Sequence, residues 1–184
     1  MGLPKFFKDD SESMKYEETI DFFLSWTIRC ADIVYKKEDE IVYNYSKLIL
    51  QKLLSNFSIS DESIFKNIKV WKQHSNIDLW VELTIEVKGI EEKAAIIIEN
   101  KMYSSIRNGQ LEKYIEIATE YYKNDDRKIE FIFIRPDYEI GNKTNEKALC
   151  EELGYTYLNL EELKDVLLNK KTKNHLFDEF WFNW

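Results

Sequence analysis

Helical and strand periodicities alternate along this chain in the order α-α-β-β-β-α-β-α-β-α, which predicts a single α/β domain. Its 184 residues match one ordinary domain better than two. Hydrophobic residues at 44%, a third of them aromatic, suffice for a core of that size. No repeat, low-complexity tract or Pro-rich linker interrupts it, Pro4 and Pro136 being the only prolines. Residues 1–184 therefore read as one unit, with an acidic helical segment at 1–40 and an aromatic segment at 174–184.

From Met14 to Tyr35 the apolar positions Ile20, Phe23, Leu24, Ile28 and Ala31 recur at three and four, as on one helix face. Ile41 to Phe57 repeats the pattern with Tyr45, Leu48, Ile49 and Leu53. The period then falls to two: Asn67 to Gln73 is β-type, and Ile77 to Val87 alternates apolar residues with Asp78, Trp80, Glu82, Thr84 and Glu86. Lys88-Gly89 supplies a turn into Lys93 to Asn100, whose Ala94–Ile98 run predicts a strand buried on both faces. A helix over Arg107 to Tyr122 and a strand over Ile129 to Ile134 follow. Thr144 to Leu153 with Gly154 beyond fits a C-capped helix; Tyr155 to Leu158 is a short strand and Glu161 to Asn169 a last helix.

Composition narrows the function. A net charge of −8, of which −6 falls in residues 9–40, argues against a protein that coats nucleic acid or anionic membrane by bulk electrostatics. The five glycines are too dispersed for a phosphate-cradling glycine loop. Cys30 and Cys150 form no CxxC pair, so a disulfide framework or cysteine zinc site lacks support and a reducing cytoplasm suits the chain. The N-terminus has no apolar signal region, and no apolar run is long enough to span a bilayer.

One hairpin carries concentrated chemistry. A two-residue turn at Lys88-Gly89 places Asp78 opposite Glu99, and a four-residue loop places it opposite Lys101. Either register projects Asp78, Glu99 and Lys101 from the same sheet face; a loop of odd length breaks the arrangement. Facing carboxylates repel and attract a shared hard cation with retained waters, and a nearby lysine can then orient a water or stabilise charge building on a phosphate. The bland alternative is a cross-strand ion pair on a solvated sheet. Against it, Glu99 and Lys101 end an almost wholly apolar strand, where stray charge is unfavourable.

Asp78 followed by Ile96-Ile97-Ile98-Glu99-Asn100-Lys101 resembles the D…ExK signature of the PD-(D/E)XK nuclease superfamily. Gln110-Leu111-Glu112-Lys113-Tyr114 is similar to the QxxxY motif of the branch containing helicase-associated and phage-type exonucleases. Ile77 stands where the family name has proline. The resemblance implies a restriction-endonuclease-like αβββαβ core, with a central mixed sheet flanked by helices, and a metal-dependent nuclease acting on DNA, RNA being the alternative substrate. By the same resemblance, Asp78, Glu99 and the Asn100 carbonyl hold Mg²⁺ or Mn²⁺, and Lys101 positions the nucleophilic water. Gln110 and Tyr114 then lean over the site to touch a phosphate or the lysine. The family often adds a glutamate from the first core helix; Glu40 is expected in that role, with Glu17, Glu18 and Glu38 as competitors. Arg107 and Lys113 are the expected substrate contacts.

Weaker signals have plainer readings. His74 and His175 build no triad, and no GxSxG occurs. Lys164, Lys170, Lys171 and Lys173 fit a solvated helix end better than a phosphate grip. Phe177, Phe180, Trp181, Phe182 and Trp184 are too apolar for a free tail, and are expected to pack on the domain or to meet a second subunit or protein partner. The competing function is therefore a non-catalytic nuclease-fold module working through protein contacts.

Overall fold

A computed structural model describes residues 16–102, 104–135, 143–167 and 171–183. Helix α1 (Tyr16–Cys30) stops short of the expected Tyr35, because Asp32 caps a separate 3-10 turn, Ile33–Tyr35, through the Val34 amide. The other Asp32 oxygen accepts from the Ile68 amide at 2.9 Å. That bond ties the turn to strand β1 (Ile64–His74) beside a bulge, where Asn67 has φ 57° and the pairing register shifts. Helix α2 (Glu40–Leu53) starts on the Asp39 side chain, which accepts from the Val42 amide.

Among the described residues, five strands form one mixed sheet in sequence order. β1 pairs antiparallel with β2 (Ile77–Val87), and β2 with β3 (Ile90–Asn100). β4 (Lys128–Arg135) runs parallel to β3, and β5 (Thr156–Asn159) parallel to β4. Helix α3 (Gln110–Tyr122) makes the β3–β4 crossover and α4 (Lys143–Glu152) the β4–β5 crossover. Short helices α5 (Leu160–Asp165) and α6 (His175–Asp178) follow, the latter running into a π-helical turn, Glu179–Asn183.

The two sheet faces bury different partners. Leu79, Val81, Leu83 and Ile85 of β2, with Ile96 and Ile98 of β3, face α1, α2 and the C-terminal helices. Trp80, Ala95 and Ile97 face Tyr114, Ala118 and Tyr122 of α3. The hydroxyl of Tyr122 accepts from the Trp80 indole at 2.6 Å and donates to Glu82. This division explains why β3 reads as continuously apolar while β2 alternates: β3 is central and covered on both sides.

The C-terminal aromatics turn inward. Phe177, Phe180 and Trp181 are at most 2% exposed; Phe180 stacks on Phe23 at 4.8 Å and the Trp181 indole donates to Thr27 Oγ1 at 2.9 Å. Of the two expectations for this segment, packing on the domain holds, and a surface for a second subunit or protein partner is not supported. Trp184, Lys170 and the acidic stretch within residues 1–15 lie outside the described residues. No helix among the described residues is long and apolar enough to cross a membrane.

Candidate active site

The β2–β3 hairpin sets the site. Lys88 (φ 51°) and Gly89 (φ 81°) both take left-handed backbone, as a two-residue turn between right-twisted strands requires. Pairing then runs unbroken from Val87↔Ile90 to Leu79↔Ile98, so the next residues along, Asp78 and Glu99, lie across from one another. They share the face that carries Trp80 and Ile97. β3 begins at Ile90, not Lys93, because this turn pairs the charged Glu91, Glu92 and Lys93 at once.

Hydrogen bonds lock each acid. Asp78 Oδ2 accepts from the Asn100 amide at 2.8 Å, and Oδ1 from Gln73 Nε2 at 2.9 Å. Glu99 is 1% exposed; its Oε1 accepts from Lys101 Nζ at 2.5 Å and from Gln110 Nε2 at 2.6 Å. Gln110 Nε2 also donates to the Tyr114 hydroxyl at 2.9 Å, and that hydroxyl donates to the Asn76 carbonyl at 2.7 Å. Gly109, with φ 70°, delays α3 until Gln110, and Gln110 Oε1 takes the Arg107 amide at 3.1 Å. Gln110 and Tyr114 thus do lie on one helix face over the site, where they grip the glutamate and each other.

Burial, and next the neighbouring Asp78 charge, push the Glu99 carboxyl up to about 7, although Lys101 pulls the other way. Glu99 Oε2 is buried and accepts no hydrogen bond among the described residues. Two facing carboxylates with one buried oxygen unsatisfied call for a positive species between them, a proton or a cation. No group of three or more His, Cys, Asp or Glu suited to a metal occurs among the described residues. The oxygen donors that face each other here, the Asp78 and Glu99 carboxylates, are of the kind that suits a hard divalent cation.

Lys101 is held in register by its own amide, which donates to the Ile134 carbonyl at 3.0 Å. Behind it Arg135, 6% exposed, makes two 2.6 Å bonds to Glu146 and donates to the Ser104 and Met102 carbonyls at 2.8 and 3.4 Å. This clamp anchors the segment after Lys101 to α4, and the sequence reading missed it because neither partner carries a motif.

The first-helix acid is a correction. Glu40 begins α2, is two-thirds exposed, and its ion pair is with Lys36 at 3.8 Å, so the structure does not bring it to Asp78 and Glu99. Asp21 of α1, 4% exposed, instead accepts from Asn100 Nδ2 at 3.3 Å. The available signal was a carboxylate beside Ile20 and Leu24 on the buried helix face. Arg107 and Lys113 flank Gln110 and are exposed. His74 packs edge-on to Trp80 at 5.0 Å. Burial raises both thiols, Cys30 to about 11 and Cys150 to about 12, the opposite of an activated nucleophile.

A five-stranded mixed sheet with helices on both faces, an Asp opposite a Glu at its parallel–antiparallel junction and a lysine two residues on define a restriction-endonuclease-like α/β domain. Residues 18–177 match the family model of the PD-(D/E)XK nuclease superfamily, and the chain belongs to that superfamily. No curated protein and no solved structure matches the chain significantly.

Proposed function

We propose that this protein is a metal-dependent nuclease that hydrolyses phosphodiester bonds in DNA, and that Gln110 and Tyr114 place it in the QxxxY branch. The carrying observation is the buried Glu99, across the hairpin from Asp78 and bonded to both Lys101 and Gln110, with its second oxygen unsatisfied. In this reading Asp78, Glu99 and the Asn100 carbonyl hold Mg²⁺ or Mn²⁺. Such an ion supplies a more acidic water and offsets charge on the phosphate.

The chain's own groups do the rest. Asp21 and Asp78 brace Asn100 from its side chain and its amide, fixing the carbonyl that completes the ligand set. Gln110 holds Glu99 Oε1, and Tyr114, anchored on the Asn76 carbonyl, holds Gln110. Lys101 leaves Glu99 to orient the attacking water and to stabilise the phosphate's developing charge as a water oxygen–phosphorus bond forms and the bond to the leaving oxygen breaks. Arg107 and Lys113 contact flanking phosphates. The rival reading, a non-catalytic binding module, rests on the net charge of −8 and on the aromatic C-terminus, and the described rings of the latter are packed inward.

Purified protein with Mg²⁺ should cleave DNA, and Asp78→Ala, Glu99→Ala and Lys101→Ala should each lose on the order of 10²–10⁴-fold. Cleavage that needs no divalent ion, or that survives in both Asp78→Ala and Lys101→Ala, overturns the proposal.

A further inference from the structure

The sheet edge beside the site carries aromatic side chains that remain partly open to solvent. β1 is the edge strand. On it Trp71 is 39% exposed, and across from it on α3 Tyr121 is 59% exposed. His74 lies between them, 6.4 Å from the Trp71 ring and 6.1 Å from the Tyr121 ring. Buried Trp80 underlies two of them edge-on, 5.0 Å from His74 at 84° and 5.1 Å from Tyr121 at 71°, and pairs with Trp71 across the strands. Single exposed aromatics are ordinary, but three gathered at one place form a patch.

Its position gives the patch meaning. Trp71 pairs directly with Trp80, and Trp80 sits two residues from Asp78 on the same face of β2. Two residues along a strand span about 6.7 Å. On β1 Gln73, which donates to Asp78 Oδ1 at 2.9 Å, adjoins His74 and stands two residues from Trp71, so the exposed rings border the carboxylates. β1 also carries exposed Lys69, which pairs with Glu82 and so shares the face of Trp71 and Trp80, whereas Lys72 pairs with Leu79 and projects from the other face, its ammonium 4.5 Å from the centroid of Phe22. A cation beside accessible rings is what an unpaired strand needs, a phosphate on Lys69 and bases on the aromatic side chains. A duplex keeps its bases stacked internally and can use only the cation, while a chain of net charge −8 opposes a long duplex.

We infer that Trp71, His74 and Tyr121 form a base-stacking platform and that the substrate is single-stranded DNA, the bases next to the scissile phosphate lying on these rings. The inference rests on the nuclease reading above and deepens it by naming the form of DNA engaged.

Binding without turnover separates the two. In EDTA, anisotropy of a short fluorescein-labelled oligothymidylate and of a labelled duplex of equal length is measured against wild type, Trp71→Ala, Tyr121→Ala and Lys69→Ala across a salt series. The expected result is tighter binding of the single strand and a loss of roughly 5- to 150-fold in each aromatic variant with an unchanged salt slope. Lys69→Ala should lower the slope by about 0.7 instead. Equal affinity for the two forms, or aromatic variants that bind like wild type, overturns the platform and leaves the nuclease reading to its cleavage assay. Expected binding with no cleavage in Mg²⁺ supports the platform and overturns the nuclease reading. Self-association of wild type that vanishes in Trp71→Ala, seen by sedimentation velocity, assigns the face to a second copy and overturns the platform.

Discussion

Burial and the Asp78 charge hold the Glu99 carboxyl near 7, so the metal-free protein keeps a proton there that the unfolded chain gives up at about 4.5. Between those values the native state binds more protons than the unfolded one. Glu99 therefore favours folding in acid, and this contribution, at most about 3 kcal/mol, is lost as pH rises through 7. Thermal melts in chelator should show wild type losing stability from pH 5 to 8 relative to Glu99→Gln, which has no proton to lose. Parallel curves for the two proteins would contradict the raised carboxyl. Metal must displace the same proton, so Mg²⁺ affinity should climb toward pH 7 and level off above it. At this level the sequence was most informative where chemistry and pattern coincide. Glu99 and Lys101 stood out because charge ends an apolar strand, and Asp78 because the hairpin register sets it on their face, whereas Asp21 carries no signal beyond its place in the first helical pattern and Glu40 stands outside both patterns.

Among the elements, β2 was legible from end to end because its alternation is uninterrupted and a turn with forced backbone geometry closes it. Boundaries failed where side chains override periodicity: Asp32 ends the first helical stretch, Gly109 postpones α3, and charged Glu91 to Lys93 disguise the start of β3. The Arg135–Glu146 pair between β4 and α4 has no sequence signature at all, since its meaning lies in a crossover. It is well buried, with side chains 7% and 14% exposed. Glu146→Ala strands a guanidinium under the Lys101 segment, and should destabilise by about 3–5 kcal/mol in a urea melt. A change below about 1 kcal/mol would mean that water reaches Arg135 and that the clamp is dispensable.

For the whole molecule, ion binding and folding should be linked. Mg²⁺ at ten times its dissociation constant ought to stabilise the native state by about 1.4 kcal/mol, a rise of roughly 4 °C in Tm, and Asp78→Ala ought to abolish the rise. No shift in wild type at saturating Mg²⁺ would remove the metal from the proposed chemistry. The architecture also orders events during synthesis. Helix α1, which delivers Asp21 to Asn100, is sealed by Phe180 on Phe23 and by Trp181 on Thr27, residues more than 150 positions later. A growing polypeptide still on the ribosome lacks that cover until residue 181 has emerged, so the seating of Asp21 against Asn100 is a late event in synthesis.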